Sequence, residues 1–229
     1  MSGGTPRYSN EAALDPAPES SWGKLLAQVP QGARVLDVGC ARGAFSGALQ
    51  RLRDCRVIGV EVDEQAAEEA RSRCEAVVCG DIQKLLADPA FPRDFDVIIA
   101  ADVLEHLLDP KGVLESLTRT LKPGGVLLAS IPNVTHLSVI AALATGRFPR
   151  SREGLLDSTH VQFFGEADAL ELFEQSGYAA KVVDRVQLDP RLTEFHTDLA
   201  ALPAEALAFF DQHRNSDTYQ FIIRAVPHA

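Results

Sequence analysis

The stretch that most constrains this chain is Val35-Leu-Asp-Val-Gly-Cys-Ala-Arg-Gly-Ala-Phe-Ser46. Val35, Leu36 and Val38 form the short apolar run of a strand covered on both faces. Gly39 and Gly43 let the backbone bend sharply and let a ligand approach with no Cβ in the way. A strand that breaks into a glycine turn and opens a helix leaves backbone N–H groups and a helix dipole at one end of a parallel sheet. Open α/β sheets bind nucleotide-like ligands there. Asp37, near the end of the strand, is expected to aim an acid into the same crevice. Taken alone, the turn also suits an ordinary strand–helix connection, so the rest of the chain has to decide.

The alternation continues. A helix is expected over 44–53, a buried strand over 56–61, and a helix N-capped by Asp63 with Ala66, Ala67 and Ala70 on one face. Strands follow over 76–79 and 95–101, then a helix over 110–121 stopped by Lys122-Pro-Gly-Gly125, then a strand over 126–131. Strand–helix alternation implies right-handed crossovers and a doubly wound α/β fold, a mostly parallel sheet with helices on both faces. Two late strands, over 180–186 and 218–226, bring the sheet to seven and are expected to form an antiparallel edge; a helix over 203–213 separates them. Residues 133–165, with a helix over 138–144 and an Arg-rich loop, are expected to cover the ligand end of the sheet, and a helix over 167–176 follows. The domain plan is an N-terminal arm with a short helix in 1–30, in which Trp22 packs on the core, and a single domain over 31–229.

Composition narrows the function. The 229 residues carry a formal net charge of −10, which argues against a general nucleic-acid binder, although Arg147, Arg150 and Arg152 form a local basic patch that hints at an acidic acceptor. No apolar run has the length of a membrane span and no charged-then-apolar signal segment opens the chain. Cys40, Cys55, Cys74 and Cys79 lack metal-ligand spacing and read as reduced thiols, three of them in the core, so a cytoplasmic location is expected.

Acids stand at four strand ends: Asp37, Glu61, Asp81 and Asp102, expected to converge on one rim. Glu61 is placed to accept two hydrogen bonds from a ribose diol, and Asp81 to accept from the exocyclic amine of an adenine. Together with Gly59-Val-Glu61, Gly80-Asp-Ile82, Phe95-Asp-Val97, Asp102-Val-Leu-Glu-His106 and Leu121-Lys-Pro-Gly-Gly125, the turn over 35–43 makes the chain resemble a class I S-adenosylmethionine-dependent methyltransferase of Rossmann-like fold.

The resemblance implies S-adenosylmethionine as cofactor and S-adenosylhomocysteine as product. It places Gly39, Cys40, Ala41 and Gly43 under the methionine part and Asp37 in the same crevice. Glu61 with Val62 then falls at the ribose, Asp81 and Ile82 at the adenine, and Ala101 with Asp102 beside the sulfonium. The family often has a third glycine where this chain has Ala41, a methyl group that should be tolerable. Ser130-Ile-Pro-Asn133, Gly154-Leu-Leu-Asp-Ser-Thr-His160 and Phe163-Phe164 further resemble a bacterial subgroup linked to glycan, lipid or secondary-metabolite assembly. Ser158 and Gln162 stand where that subgroup commonly has Arg. The acceptor implied is a small molecule or a sugar-bearing intermediate, methylated on O or N.

A hydroxyl acceptor must lose a proton during in-line displacement at the sulfonium carbon, and histidine suits that task. His160, in the covering segment, is the first candidate base and His106 the second. Asp102, Glu105 and His106 at i, i+3 and i+4, with His160 as a fourth, also resemble the divalent-metal site of some RNA and quinone-precursor O-methyltransferases. Glu105 is read here as a brace and no metal is assigned. Two other readings stay open: an NAD(P)-linked oxidoreductase, since Gly39-Cys-Ala-Arg-Gly-Ala44 is a degenerate dinucleotide fingerprint, and a non-catalytic scaffold that keeps the cofactor fold.

Overall fold

The computed structural model describes residues 16–195, 198–212 and 215–228; most of the expected N-terminal arm and the end of the helix expected over 203–213 lie outside the described residues. In chain order the elements are α1 (Ser21–Gln28), β1 (Arg34–Val38), α2 (Ala44–Arg53), β2 (Arg56–Glu61), α3 (Glu64–Ala70), β3 (Ala76–Cys79), α4 (Ile82–Leu85) and β4 (Phe95–Ala101). A single 3-10 turn (Leu104–His106) leads to α5 (Pro110–Thr118), β5 (Leu121–Pro132), α6 (Leu137–Ala144), α7 (Glu166–Gln175), β6 (Tyr178–Gln187), α8 (Ala204–Asp211) and β7 (Thr218–Pro227).

The strands form one seven-stranded sheet in the order β3-β2-β1-β4-β5-β7-β6. β1 to β5 pair in parallel, and β7 is antiparallel to both β5 and β6. The two late strands thus add the expected antiparallel edge, with the reversed β7 inside it and β6 outermost. Side-chain parity explains the two-sided core. Val35, Val57, Val97, Ile99 and Leu128 face one side with Leu25 of α1 and Phe45 and Leu49 of α2. Their neighbours Leu36, Ile58, Ile98 and Leu127 face the other, with Leu114 and Leu117 of α5 and Phe173 of α7. Trp22 stacks on Phe45 with ring centroids 5.3 Å apart, as expected for a core residue.

Asp63 caps α3 by accepting from the Ala66 N–H at 2.8 Å. The Lys122-Pro-Gly-Gly125 segment is not a helix stop. α5 ends three residues earlier than expected, and the segment is a bulge inside β5, where the pairing steps from Phe95–Leu121 to Val97–Val126. Gly124 supplies the left-handed backbone there, with φ 79°. Among the described residues, no helix is long and apolar enough to cross a membrane.

Candidate active site

The chain leaves β1 through backbone geometry that glycine permits. Gly39 has φ 71°, and a Cβ there would lie 2.9 Å from Cγ2 of Val103. Gly43, the N-cap of α2, has φ 75°, and a Cβ would stand 3.1 Å from the Cα of Ala70. Both positions are closed to side chains twice over, by conformation and by space. Ala41 also sits in the left-handed region, at φ 48°. Its methyl group is accepted at a cost in backbone strain, because the turn is pinned on both sides. The Gly39 and Cys40 N–H groups donate to the Val60 carbonyl, and the Ala41 N–H donates to Glu61 Oε2 at 2.9 Å.

Beside this turn lies a cavity of about 630 Å³, within the usual size range for small-molecule sites. Gly39, Ala41 and Arg42 line one side, Glu61 and Val62 the next, and Asp81 with Ile82 a third. Asp102, Val103, His106 and Thr159 line the remainder. Three of the four strand-end acids thus converge. Glu61 Oε1 accepts from the Val62 and Asp63 N–H groups, at 2.8 and 2.9 Å, which fixes the carboxylate while leaving it acceptor capacity. Asp81 caps α4 by accepting from the Gln83 N–H at 2.9 Å. Asp102, at φ 55°, accepts from Ser130 Oγ and Gln220 Nε2, each at 2.8 Å. Burial pushes its carboxyl up to about 6 against those two hydrogen bonds.

Asp37 is the exception. It is 3% exposed, does not line the cavity, and accepts from Ser46 Oγ of α2 at 2.5 Å. Parity is the reason: Asp37 points to the same side as Val35, toward the α2 layer, rather than off the end of the strand. Burial pushes its carboxyl up to about 6, the Ser46 hydrogen bond opposes this, and the charge of Glu61 adds to it. Cys40, Gly43 and Ala101 likewise shape or back the site without lining the cavity.

The two candidate histidines lie at different depths. His106 lines the cavity, with Nδ1 3.2 Å from Thr159 Oγ1. His160 is 6% exposed and lies behind it, with Nδ1 3.2 Å from the Leu155 carbonyl. Burial and then the neighbouring His106 hold the His160 imidazole below its ordinary value. Four hydrogen bonds hold its loop: Arg150 Nη2 donates to the Asp157 and His160 carbonyls, and the Thr159 N–H and hydroxyl donate to Asp157 Oδ1. Arg150 is therefore engaged with backbone rather than presented to an acceptor. Of the expected covering segment, Thr159 is the residue that lines the cavity, while α6 packs against Leu199 and the C-terminal region.

Glu105 is not a brace. It is 1% exposed, and neither carboxylate oxygen has a hydrogen-bond partner. Burial, and then the charge of Asp102, push its carboxyl well above the usual range. One ligand atom each of Glu105, His106 and His160 lies within 4.8 Å of the others. A buried orphan carboxyl beside two imidazoles is a donor set that suits a divalent cation. Arg42 and Thr159 are among the cavity residues not anticipated from the sequence; each adjoins a motif already noted, the glycine turn and the Ser-Thr-His run.

Comparison with known proteins agrees with this fold. Residues 17–182 match the family model described as a methyltransferase domain. A ubiquinone biosynthesis O-methyltransferase of Idiomarina loihiensis is 38% identical over 109 residues, 44% of this chain and 43% of that one, so the match spans less than half of the relative's length. Among solved structures, a Thermotoga maritima S-adenosylmethionine-dependent methyltransferase, a possible histamine N-methyltransferase, shares the fold at TM-score 0.63 and 20% identity, over 90% of this chain and 87% of that one. The magnesium protoporphyrin IX methyltransferase of Synechocystis with bound S-adenosylhomocysteine does so at TM-score 0.59 and 17% identity, over 91% and 83%.

Proposed function

The chain belongs to the class I S-adenosylmethionine-dependent methyltransferases, and from that premise we propose that it methylates an oxygen of a small-molecule acceptor, with His106 receiving the acceptor's proton. That membership sets aside the nicotinamide-linked reading of the glycine turn. It also sets aside the scaffold reading, as does a cavity rim that keeps Glu61, Asp81 and Asp102 together. The observation that carries the proposal is that His106 shares one cavity with those acids.

Bound there, S-adenosylmethionine supplies a methyl carbon on a positively charged sulfur, already activated for displacement. Glu61 is the acceptor for the ribose hydroxyls, Asp81 and Ile82 frame the adenine, and the Gly39–Ala41 backbone leaves room for the methionine part. His106 lines the same cavity as Asp102 and would hold the proton given up by the acceptor hydroxyl. His160, buried and biased toward its neutral form, holds the His106 ring from behind.

The acceptor has an apolar body. Leu107 lines the cavity, and Leu108, next in the chain, is a largely exposed aliphatic residue. A sugar-bearing acceptor would call for hydrogen-bonding groups at that edge. The ubiquinone biosynthesis O-methyltransferase match supports a hydroxylated ring compound. The test is to incubate the enzyme and S-adenosylmethionine with a catechol, a primary amine and a sugar in parallel. The proposal expects S-adenosylhomocysteine release and a methyl-bearing product with the catechol alone. Methylation of the amine or the sugar instead would overturn it.

The orphan Glu105 carboxyl favours a second reading of the same step, in which Glu105, His106 and His160 hold a divalent cation. Such an ion would polarise the acceptor hydroxyl and lower its pKa. Dialysis against a chelator, with metal content measured beside activity, separates the two. A stoichiometric metal whose removal abolishes turnover favours the cation, and unchanged turnover favours the histidine base.

A further inference from the structure

Cys40 and Cys74 are 34 positions apart in sequence, yet both sulfurs converge on one empty spot over β2. A Cβ on Gly59 would stand 2.6 Å from Cys40 Sγ and 3.3 Å from Cys74 Sγ. The glycine in the middle of β2 is thus what leaves room for the sulfur pair. Neither thiol is in a disulfide; Cys40 is buried and Cys74 is half-buried, so the pair opens to solvent on the Cys74 side.

The two thiols also polarise each other. The contact with Cys40 does most to hold the Cys74 thiol below its ordinary value; burial and the Asp37 charge oppose it, and Ser46 and Arg73 assist, while the same contact and burial raise Cys40. A thiol with enhanced thiolate character beside a second thiol is the arrangement of a peroxide-reactive and a resolving cysteine.

The surroundings connect this pair to the cofactor turn. Cys40 lies between Gly39 and Ala41, both of which line the cavity, and the Ala41 N–H is bound to Glu61. The turn carrying Cys74 backs the same loop, with Arg73 Nη1 donating to the Arg42 carbonyl at 2.8 Å. Bringing the sulfurs to bonding distance, about 2.05 Å, therefore pulls the backbone that carries Gly39 and Ala41.

We infer that Cys40 and Cys74 form a reversible disulfide under peroxide, and that this bond closes the cofactor cavity. The Cys74 thiolate attacks a peroxide oxygen, the O–O bond breaks, and Cys74 becomes a sulfenic acid as the first water leaves. The Cys40 sulfur then attacks Cys74 Sγ, the S–O bond breaks, its proton leaves with the second water, and the S–S bond forms. Two thiols have lost two electrons and the peroxide has gained them. The regulatory consequence rests on the assignment of the cavity to S-adenosylmethionine; the disulfide itself does not.

The test treats the reduced full-length protein with hydrogen peroxide in a Cys79→Ser background, because trypsin leaves Cys74 and Cys79 on one fragment, 74–84. Non-reducing peptide mapping is expected to find that fragment joined to 35–42. Calorimetry is expected to find S-adenosylhomocysteine bound at least tenfold more weakly after oxidation, restored by dithiothreitol, and insensitive to peroxide once Cys74→Ser is added. Absence of the joined fragment, or Cys74 recovered as sulfinic acid alone, overturns the pair. A joined fragment with unchanged affinity overturns the regulation. Reduced protein that does not bind S-adenosylhomocysteine overturns the cavity assignment, while the mapping still judges the pair.

Discussion

His106 and His160 meet edge to face with ring centroids 4.8 Å apart and planes at 73°, and of the two only His106 reaches the cavity. One ring therefore faces the cavity while the other packs against it from behind. Behind them the Glu105 carboxylate accepts no hydrogen bond, although the Glu105 backbone carbonyl accepts from the Val161 and Gln162 N–H groups. The covering segment and the 3-10 turn are thus tied together by backbone at the point where the two histidines meet.

Replacing His106 by Gln is expected to lower kcat by about 10²- to 10⁴-fold, the usual contribution of a general base, with the affinity for S-adenosylhomocysteine unchanged. His160→Gln is expected to cost less in kcat and to shift the pH–rate profile, since it acts through His106. Steady-state kinetics beside calorimetry check both. Equal losses of kcat in the two variants would return His160 to the reacting group.

The Asp37 carboxyl gives the fold a pH signature. Its folded value is raised from 3.8 to about 6, so the folded protein holds the proton more tightly than the unfolded chain. Its stabilising contribution is full below about pH 4 and is lost as pH rises through about 6. The charged form at neutral pH then costs on the order of 3 kcal/mol. Asp37→Asn, which still accepts from Ser46, is expected to raise the melting temperature by several degrees at about pH 8 and far less at about pH 4. An equal effect at both values would contradict this.

Ala41 at φ 48° stores strain in the cofactor turn. Ala41→Gly is expected to stabilise the protein by up to about 1 kcal/mol, read as a higher melting temperature. S-adenosylhomocysteine affinity should be retained. A lower melting temperature would show that the methyl group makes packing contacts that outweigh the strain.

The sheet was legible because its signals are local. Alternate strand residues such as Val35 and Leu36 bury on opposite faces, and β1 to β4 are short, largely apolar and ended or followed by Gly, Asp or Glu. Lys122-Pro-Gly-Gly125 misled because Pro and Gly mark a break in a helix and a bulge in a strand equally well. Glu61, Asp81 and Asp102 were placed correctly by topology. Asp37 was not, although its parity with Val35 was there to read. The order of His106 and His160, the isolation of the Glu105 carboxyl and the meeting of Cys40 with Cys74 depend on how distant loops pack. No local pattern in the chain encodes that.

The account rests on one cavity, and the most direct measurement is a thermal-shift titration of the wild type and Glu61→Ala with S-adenosylhomocysteine, with NAD in parallel. The wild type should gain about 2.7 kcal/mol at a hundred times the dissociation constant, NAD should add nothing, and Glu61→Ala should need at least tenfold more ligand for the same shift. Stabilisation by NAD, or equal affinity in wild type and variant, would contradict the assignment of Glu61 and of the cavity around it.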